Sequence, residues 1–202
     1  IVTLRASDTA EVARDARLEP YVKTLTPIQV QDASRSMASL DREGAHLLAN
    51  GTGTGKSFTA VAIADAYRRG GDTVVWVAPA SALQIDKIHK KVGGPVAEAA
   101  ELLGVPVKVV LAADPKLDKN FVNVMSYETF KKLPHESGRI LFFDEAHYLK
   151  NFLTQSQRGM HGVDAANQAK AVLFMSASPL DKALHIAYLE KLGIYEGKTQ
   201  VE

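Results

Sequence analysis

Six short runs of almost continuously apolar residues recur along the 202-residue chain, and they constrain its fold more than any other feature. A run that is apolar at successive positions, rather than at alternate ones, is typical of a strand buried on both faces. Segments with helical character separate these runs, and this alternation predicts an α/β fold in which helices flank both faces of a parallel β-sheet. The predicted strands are 45–49, 73–78, 107–111, 121–125, 140–143 and 171–175.

The first predicted helix has clear end signals, with Thr26 as its N-cap, Pro27 as its first residue and Gly44 just after its end. No internal repeat or low-complexity linker interrupts the pattern. We therefore expect one domain over 25–202, preceded by an N-terminal extension of uncertain structure, 1–24. The predicted helices are 27–42, 57–69, 81–91, 96–103, 127–132, 154–168 and 180–191.

Composition narrows the cellular setting of the protein. Hydrophobic residues make up 46% of the chain, as in ordinary soluble proteins, and no apolar stretch approaches the roughly 18 residues that cross a membrane. The chain has no cysteine, which excludes disulfides and thiolate metal sites and fits a reducing compartment. We expect an intracellular protein, cytoplasmic or, in a eukaryote, nuclear, with no membrane partner. Because the sequence starts at Ile1 rather than Met, we also expect a fragment or a processed form.

The turn after the first predicted strand has the chemistry of a phosphate-binding loop, reading Asn-Gly-Thr-Gly-Thr-Gly-Lys-Ser over 50–57. Its glycines let successive backbone N–H groups point at an anion, and the following helix adds the positive end of its dipole. In this pattern Lys56 reaches the β- and γ-phosphates of ATP, and the Ser57 hydroxyl binds Mg²⁺. The segment departs from the usual pattern only at its first position, where Asn50 replaces a glycine. The predicted nucleotide-binding residues of the turn are Gly51, Thr52, Gly53, Thr54, Gly55, Lys56 and Ser57.

Two adjacent acids, Asp144 and Glu145, follow the apolar run 140–143. Adjacent carboxylates at the end of a buried strand are costly unless a metal ion or solvent neutralises them. We predict that Asp144 holds Mg²⁺, and that Glu145 orients and deprotonates the water that attacks the γ-phosphate. The alternative is a loop in which Asp144 merely caps the following turn. The prediction depends on Lys56 and the acid pair meeting around one triphosphate.

These two motifs resemble motifs I and II of the superfamily-two helicases and translocases. The segment 144–151, Asp-Glu-Ala-His-Tyr-Leu-Lys-Asn, is especially similar to the chromatin-remodeller (Swi/Snf) branch, in which Lys-Asn also follows the Asp-Glu-Ala-His tetrad. The resemblance implies a RecA-like P-loop NTPase lobe, the first of two, with DNA as its partner and RNA left open. It also implies a catalytic role for His147, which would link the ATP site to motif III; the alternative from the residue alone is a satisfied structural histidine.

Three further segments resemble helicase motifs, in the family's order. The segment 77–83 resembles motif Ia and 124–130 resembles motif Ib, both of which touch the nucleic-acid backbone in the family. The segment 175–180 resembles motif III, which couples hydrolysis to movement. For Tyr127, ordinary packing is an equally good interpretation. The candidate nucleic-acid residues are Pro79, Ala80, Ser81, Ser126 and Tyr127. The candidate coupling residues are Ser176 and Ser178.

The segment 25–29 resembles the Q motif, whose glutamine reads the adenine edge of ATP. In this sequence that residue is Gln29. Thr26 and Gln29 also have the spacing of a capping box, so Gln29 has a purely structural alternative.

The net charge of +1 does not by itself indicate a nucleic-acid partner, so any contact surface must be local. Basic residues cluster over 87–91 and again over 131–139. Such clusters are also common on solvated helix faces.

Together these features predict the ATP-binding lobe of an ATP-dependent DNA helicase or double-stranded DNA translocase. In the family, arginines from a second RecA-like lobe, in the same or another chain, complete the catalytic site, so we expect this chain alone to bind and hydrolyse ATP poorly. One alternative is a P-loop kinase, which needs an arginine-bearing lid, but Arg139 and Arg158 are too isolated to form one. The other is a non-catalytic nucleic-acid-binding lobe, against which the intact Lys56 and Glu145 argue.

Overall fold

Within the part of the chain that the structure describes, six parallel strands form one sheet. The computed structural model describes residues 12–48, 55–134, 136–146, 148–149 and 164–176. The strands are β1 (Ala45–Leu48), β2 (Val74–Ala78), β3 (Val107–Val109), β4 (Val122–Ser126), β5 (Ile140–Phe143) and β6 (Ala171–Met175). They lie in the order β1-β6-β5-β2-β4-β3, and every neighbouring pair is parallel. The predicted parallel sheet is confirmed.

Burial on both faces of the sheet explains why the strands are apolar at successive positions. Every residue of β2, β4, β5 and β6 is buried. Successive side chains point to opposite faces. Trp76 and Phe142 therefore stack on one face with a ring distance of 5.5 Å, whereas Phe143 and Phe174 stack on the other at 5.8 Å. Each face has its own hydrophobic core.

Helices cover both cores. They are α1 (Pro27–Glu43), α2 (Lys56–Arg69), α3 (Ala80–Leu83), α4 (Gly94–Leu103), α5 (Tyr127–Phe130) and a helical segment at 164–168. Helices α1, α2 and α4 pack on the core that contains Trp76, whereas α5 and the helical segment pack on the core that contains Phe143. The predicted layering is confirmed. The predicted helix 180–191 and most of 154–168 lie outside the described residues. Among the described helices, none is both long and apolar enough to cross a bilayer.

Helix α1 begins and ends where its sequence signals indicate. The Thr26 hydroxyl accepts a hydrogen bond from the Gln29 N–H at 3.3 Å, and the Gln29 side-chain oxygen accepts one from the Thr26 N–H at 2.9 Å. These two bonds form a capping box. Gly44 follows the last turn with a φ of 73°, a left-handed conformation that favours glycine.

The prediction of a helix over 81–91 is wrong. Helix α3 ends after one turn, and residues 86–91 form a tight turn closed by backbone hydrogen bonds of 2.9 and 3.1 Å between its two end residues. The Asp86 carboxylate accepts hydrogen bonds from the N–H groups of Ile88 and His89 at 2.9 and 3.0 Å. Such local bonding competes with helix formation. The lysines of this segment, called the basic turn below, are exposed.

The described part of the N-terminal segment packs against the same lobe. Residues Ala16–Tyr21 form a 3-10 helix whose Tyr21 hydroxyl donates a hydrogen bond to the buried Asp65 of α2. Asp65 also forms ion pairs with Arg68 and Arg69 at 2.6 and 3.0 Å. These contacts offset the cost of burying the Asp65 carboxylate. The domain boundary predicted after residue 24 stays a prediction.

Candidate functional site

The carboxyl ends of the parallel strands bring the described motifs to one edge of the sheet. Strand β1 leads into the glycine-rich turn, β6 ends at Ser176, β5 leads to Asp144, β2 leads to Pro79 and β4 leads to Tyr127. In the described sheet one strand, β6, separates β1 from β5. Two strand spacings, about 10 Å, therefore separate the ends of these two strands.

Gly55 is the first residue of the glycine-rich turn that the structure describes, and it is the N-cap of helix α2. Its φ of 76° is left-handed, and a Cβ at this position would collide with the side-chain nitrogen of Gln29. Lys56 and Ser57 follow in the first turn of α2, where the backbone N–H groups and the helix dipole favour a phosphate. Residues 51–54 lie outside the described part of the chain.

The side chain of Gln29 makes two contacts. Its oxygen completes the capping box of α1, so the structural alternative is present. Its amide nitrogen faces the Gly55 carbonyl oxygen at 3.5 Å, in the glycine-rich turn. Adenine reading by Gln29 stays a prediction.

The surroundings of the acid pair raise the pKa of Asp144. Burial, and then the neighbouring Glu145 charge, raise the pKa of Asp144 to about 6. The Glu145 N–H, which donates a hydrogen bond to Asp144 Oδ1 at 3.0 Å, and the positive charge of Lys56 act in the opposite direction. Lys56, at the start of α2, and Asp144, after β5, lie at the same edge of the sheet.

The residues at this edge fit a Mg²⁺ ion bound together with ATP. Ser57 and Asp144 carry hydroxyl and carboxylate oxygens, the hard donors that Mg²⁺ prefers. A divalent cation would also offset the cost of an ionised Asp144 that is half-buried beside Glu145. Among the described residues, no group of three or more His, Cys, Asp or Glu side chains forms a metal site.

The candidate nucleic-acid residues have different surroundings. Ala80 and Ser81 are exposed at the start of α3, whereas Pro79 is buried. Ser126 is also buried, and its hydroxyl accepts a hydrogen bond from the Thr129 N–H at 3.2 Å, which caps α5. In this conformation the exposed pair is accessible to a phosphate backbone, and Ser126 has a structural role.

Tyr127 makes a contact that the sequence did not predict. It is 4% exposed, and its hydroxyl donates a hydrogen bond to the Asp144 carbonyl oxygen at 2.9 Å. Its ring stacks with those of Phe143 and Tyr148. The structure therefore favours the packing interpretation of Tyr127. No local spacing rule predicts this hydrogen bond, because it depends on how β4 and β5 are placed in the sheet.

Ser176 lies between the ends of the strands that carry the two ATP motifs. It is buried, and its N–H donates a hydrogen bond to the Leu48 carbonyl at 3.4 Å. Ser178 and His147 lie outside the described residues, so the coupling and catalytic roles of these residues stay predictions.

Comparison with known proteins gives a family and several relatives. The family model described as Type III restriction enzyme, res subunit, matches residues 22–181, which is most of the chain. The SWI/SNF-related matrix-associated actin-dependent regulator of chromatin subfamily A-like protein 1 is 27% identical over 146 residues in Xenopus laevis and 26% identical over 161 residues in Bos taurus. These alignments cover 70% and 78% of this chain. They span only 14% and 16% of the relatives' own lengths.

Two solved structures share the fold. The Sulfolobus solfataricus SWI2/SNF2 ATPase core in complex with dsDNA has a TM-score of 0.60 at 17% identity, over 82% of this chain and 34% of that chain. A nuclease-deletion mutant of the Type ISP restriction-modification enzyme LlaGI, in complex with a DNA substrate mimic, has a TM-score of 0.53 at 13% identity, over 77% and 17% of the two chains. At these identities the likeness shows a shared RecA-like fold. The chain belongs to the Type III restriction enzyme, res subunit, family, and its similarity to the Swi/Snf-related proteins supports a superfamily-two helicase lobe of the chromatin-remodeller branch.

Proposed function

We propose that this chain is the ATP-binding lobe of an ATP-dependent DNA helicase or double-stranded DNA translocase, in which Mg²⁺-dependent ATP hydrolysis drives movement on nucleic acid. The observation that carries the proposal is the sheet order, which places Lys56, at the start of the helix after β1, and Asp144, after β5, at the same edge of the sheet with only β6 between these strands. A lysine in the first turn of a helix, at the same sheet edge as a half-buried acid pair, suits a triphosphate and its Mg²⁺.

The groups of the chain have separate tasks in this mechanism. The N-terminus of α2 and Lys56 bind the β- and γ-phosphates, while Ser57 and Asp144 would hold Mg²⁺. Bound Mg²⁺ would neutralise charge on the phosphate oxygens. Glu145 orients the attacking water and accepts its proton.

DNA is the proposed partner, and RNA is the alternative. The two structural neighbours were solved with double-stranded DNA and with a DNA substrate mimic, which supports this choice. In this chain the exposed Ala80 and Ser81 follow the carboxyl end of β2, and the basic turn comes soon after α3. Contacts from such positions to phosphates would hold DNA without reading its bases.

A second RecA-like lobe, in the same or another chain, is proposed to complete the catalytic site. The length of the relatives supports this, because the chain spans only 14% and 16% of them. In other P-loop enzymes an added arginine accelerates hydrolysis by about 10³–10⁵-fold. We therefore expect slow hydrolysis by this chain alone.

ATP binding and single-turnover hydrolysis, each with and without duplex DNA, test the proposal. Lys56→Ala should abolish ATP binding because the phosphates lose their cation. Glu145→Gln should keep ATP binding and lose hydrolysis, because an amide cannot accept the proton of water. Lys170→Ala is the control, since Lys170 is exposed and precedes β6 at the opposite edge of the sheet.

Three outcomes would argue against the proposal. Hydrolysis stimulated by small phosphate acceptors, and not by DNA, would indicate a P-loop kinase. A Glu145→Gln variant that is as active as the parent would indicate a non-catalytic nucleic-acid-binding lobe. Unchanged ATP binding by Lys56→Ala would mean that the nucleotide binds elsewhere.

A further inference from the structure

The tyrosine that follows β4 reaches across the sheet to the acid pair, although β2 lies between β4 and β5. We propose that Tyr127 is a positioning residue for Asp144 and Glu145, because its hydroxyl holds the Asp144 carbonyl and thereby the peptide that joins the two acids. The inference rests on the function proposed above for the acid pair. It adds a residue that belongs to neither the phosphate-binding turn nor the acidic motif.

The hydrogen bond lies where the chain leaves the sheet. The Asp144 N–H still donates to the Val77 carbonyl of β2 at 2.8 Å, as a strand residue does. The next residue, Glu145, has a φ of 50°, which is uncommon for a residue other than glycine. Such a conformation persists only where surrounding contacts hold it. The 2.9 Å hydrogen bond from Tyr127 to the carbonyl between these two acids is one such contact.

The ring of Tyr127 is itself held in place. Ser126 caps α5 and so defines the backbone from which the ring projects. The ring lies nearly parallel to that of Phe143, at 6.2 Å and 14°, and to that of Tyr148, at 5.6 Å and 12°. Phe143 stacks in turn on Phe174 of β6. A hydroxyl on an immobilised ring loses little conformational entropy when it forms a hydrogen bond, so the Asp144 carbonyl has a well-placed donor.

The variant Tyr127→Phe isolates the hydroxyl, because phenylalanine keeps the ring stack. The matched control is Tyr67→Phe, since Tyr67 is also 4% exposed and its hydroxyl donates a 2.7 Å hydrogen bond to Asp41 of α1. The full chain is used with two readouts. One is the NMR resonance of the Glu145 amide, which reports the local backbone. The other is the affinity for a fluorescent ATP analogue, measured in Mg²⁺ and again in EDTA.

We expect Tyr127→Phe to shift the Glu145 amide resonance and to weaken binding in Mg²⁺ by about tenfold, the lower range for loss of a group that supports a metal ligand. Binding in EDTA should change by less than about twofold, since the phosphate-binding turn is untouched. Tyr67→Phe should leave both readouts as in the parent. A mere packing role would lower stability and weaken binding equally in both buffers.

Two results would overturn the positioning role: an unchanged Glu145 resonance in Tyr127→Phe, or equal losses of affinity in Mg²⁺ and EDTA. If Tyr127→Phe does not fold, Tyr127→His, with a ring N–H in place of the hydroxyl, is measured instead. The histidine ring is too short to reach the Asp144 carbonyl, so a loss of affinity confined to Mg²⁺ supports the role, and unchanged affinity in both buffers contradicts it. A parent chain that binds no nucleotide in either buffer would instead refute the function proposed for the acid pair, and the positioning role with it.

Discussion

The side-chain nitrogen of Gln29 lies 3.5 Å from the carbonyl oxygen of Gly55, so the start of helix α1 contacts the residue that precedes Lys56. The same nitrogen occupies the space that a Cβ at Gly55 would need. Helix α1 and the glycine-rich turn are therefore packed together at this point. A substitution of Gln29 or of Gly55 should therefore disturb the other residue.

Gly55→Ala should lower both stability and nucleotide affinity. The alanine must adopt a φ of 76°, which costs about 1–2 kcal/mol, and it must also displace the Gln29 amide. Gly104→Ala is the control, because Gly104 has a φ of 67° but no atom within 4 Å of an added Cβ. Urea unfolding and nucleotide titration measure the two effects. Equal destabilisation in both variants would contradict the predicted collision.

Gln29→Glu should separate the two roles of Gln29. Glutamate keeps an oxygen for the Thr26 N–H, so the capping box and the free energy of unfolding should change by less than about 0.5 kcal/mol. Loss of the amide donor should weaken ATP binding about 5–10-fold, the equivalent of one hydrogen bond. Gln29→Ala should also lose about 1 kcal/mol of stability. Titration with ATP and GTP checks this, and unchanged ATP affinity in Gln29→Glu would leave Gln29 as a capping residue alone.

Asp144→Asn should stabilise the metal-free protein at neutral pH. The pKa of Asp144 is raised to about 6 in the folded protein, against about 3.9 in an unfolded chain. Between these pH values the folded protein holds a proton that the unfolded chain has lost, so the free energy of unfolding falls as the pH rises from about 4 to 6. Asparagine does not ionise. The variant should therefore be about 1–3 kcal/mol more stable than the parent above about pH 7, and equally stable near pH 4.

Urea unfolding in EDTA at these two pH values measures the difference. Asp114→Asn serves as the control, because Asp114 is exposed and should contribute little at either pH. A gain in stability for Asp144→Asn that is the same at both pH values would contradict the raised pKa.

Lys87→Ala should weaken DNA binding to a similar extent for unrelated sequences. Lys87 is exposed in the basic turn, and loss of one phosphate contact should reduce the slope of log affinity against log salt by about 1. Lys170→Ala, at the opposite edge of the sheet, should leave the slope unchanged. Fluorescence anisotropy with two duplexes at several salt concentrations measures these slopes. The same change in both variants would exclude the basic turn from the DNA contact surface.

Local signals predict those parts of the fold that depend on local interactions. Thr26 and Gly44 bound helix α1 because caps act on the adjacent backbone. Strands β5 and β6 have their predicted bounds because a short apolar run needs burial on both faces. The helix predicted over 81–91 failed because the Asp86 carboxylate binds nearby N–H groups, an alternative that helical character does not reveal.

The sequence by itself determined the alternation of strands and helices and the chemistry of Lys56, Asp144 and Glu145, because these depend on residue type and on spacing between near neighbours. Only the tertiary structure decided that β6 lies between β1 and β5, that the Lys56 charge acts on Asp144, and that Tyr127 binds the Asp144 carbonyl. These relationships join segments that are distant along the chain. They depend on how whole strand faces pack, which no local propensity specifies.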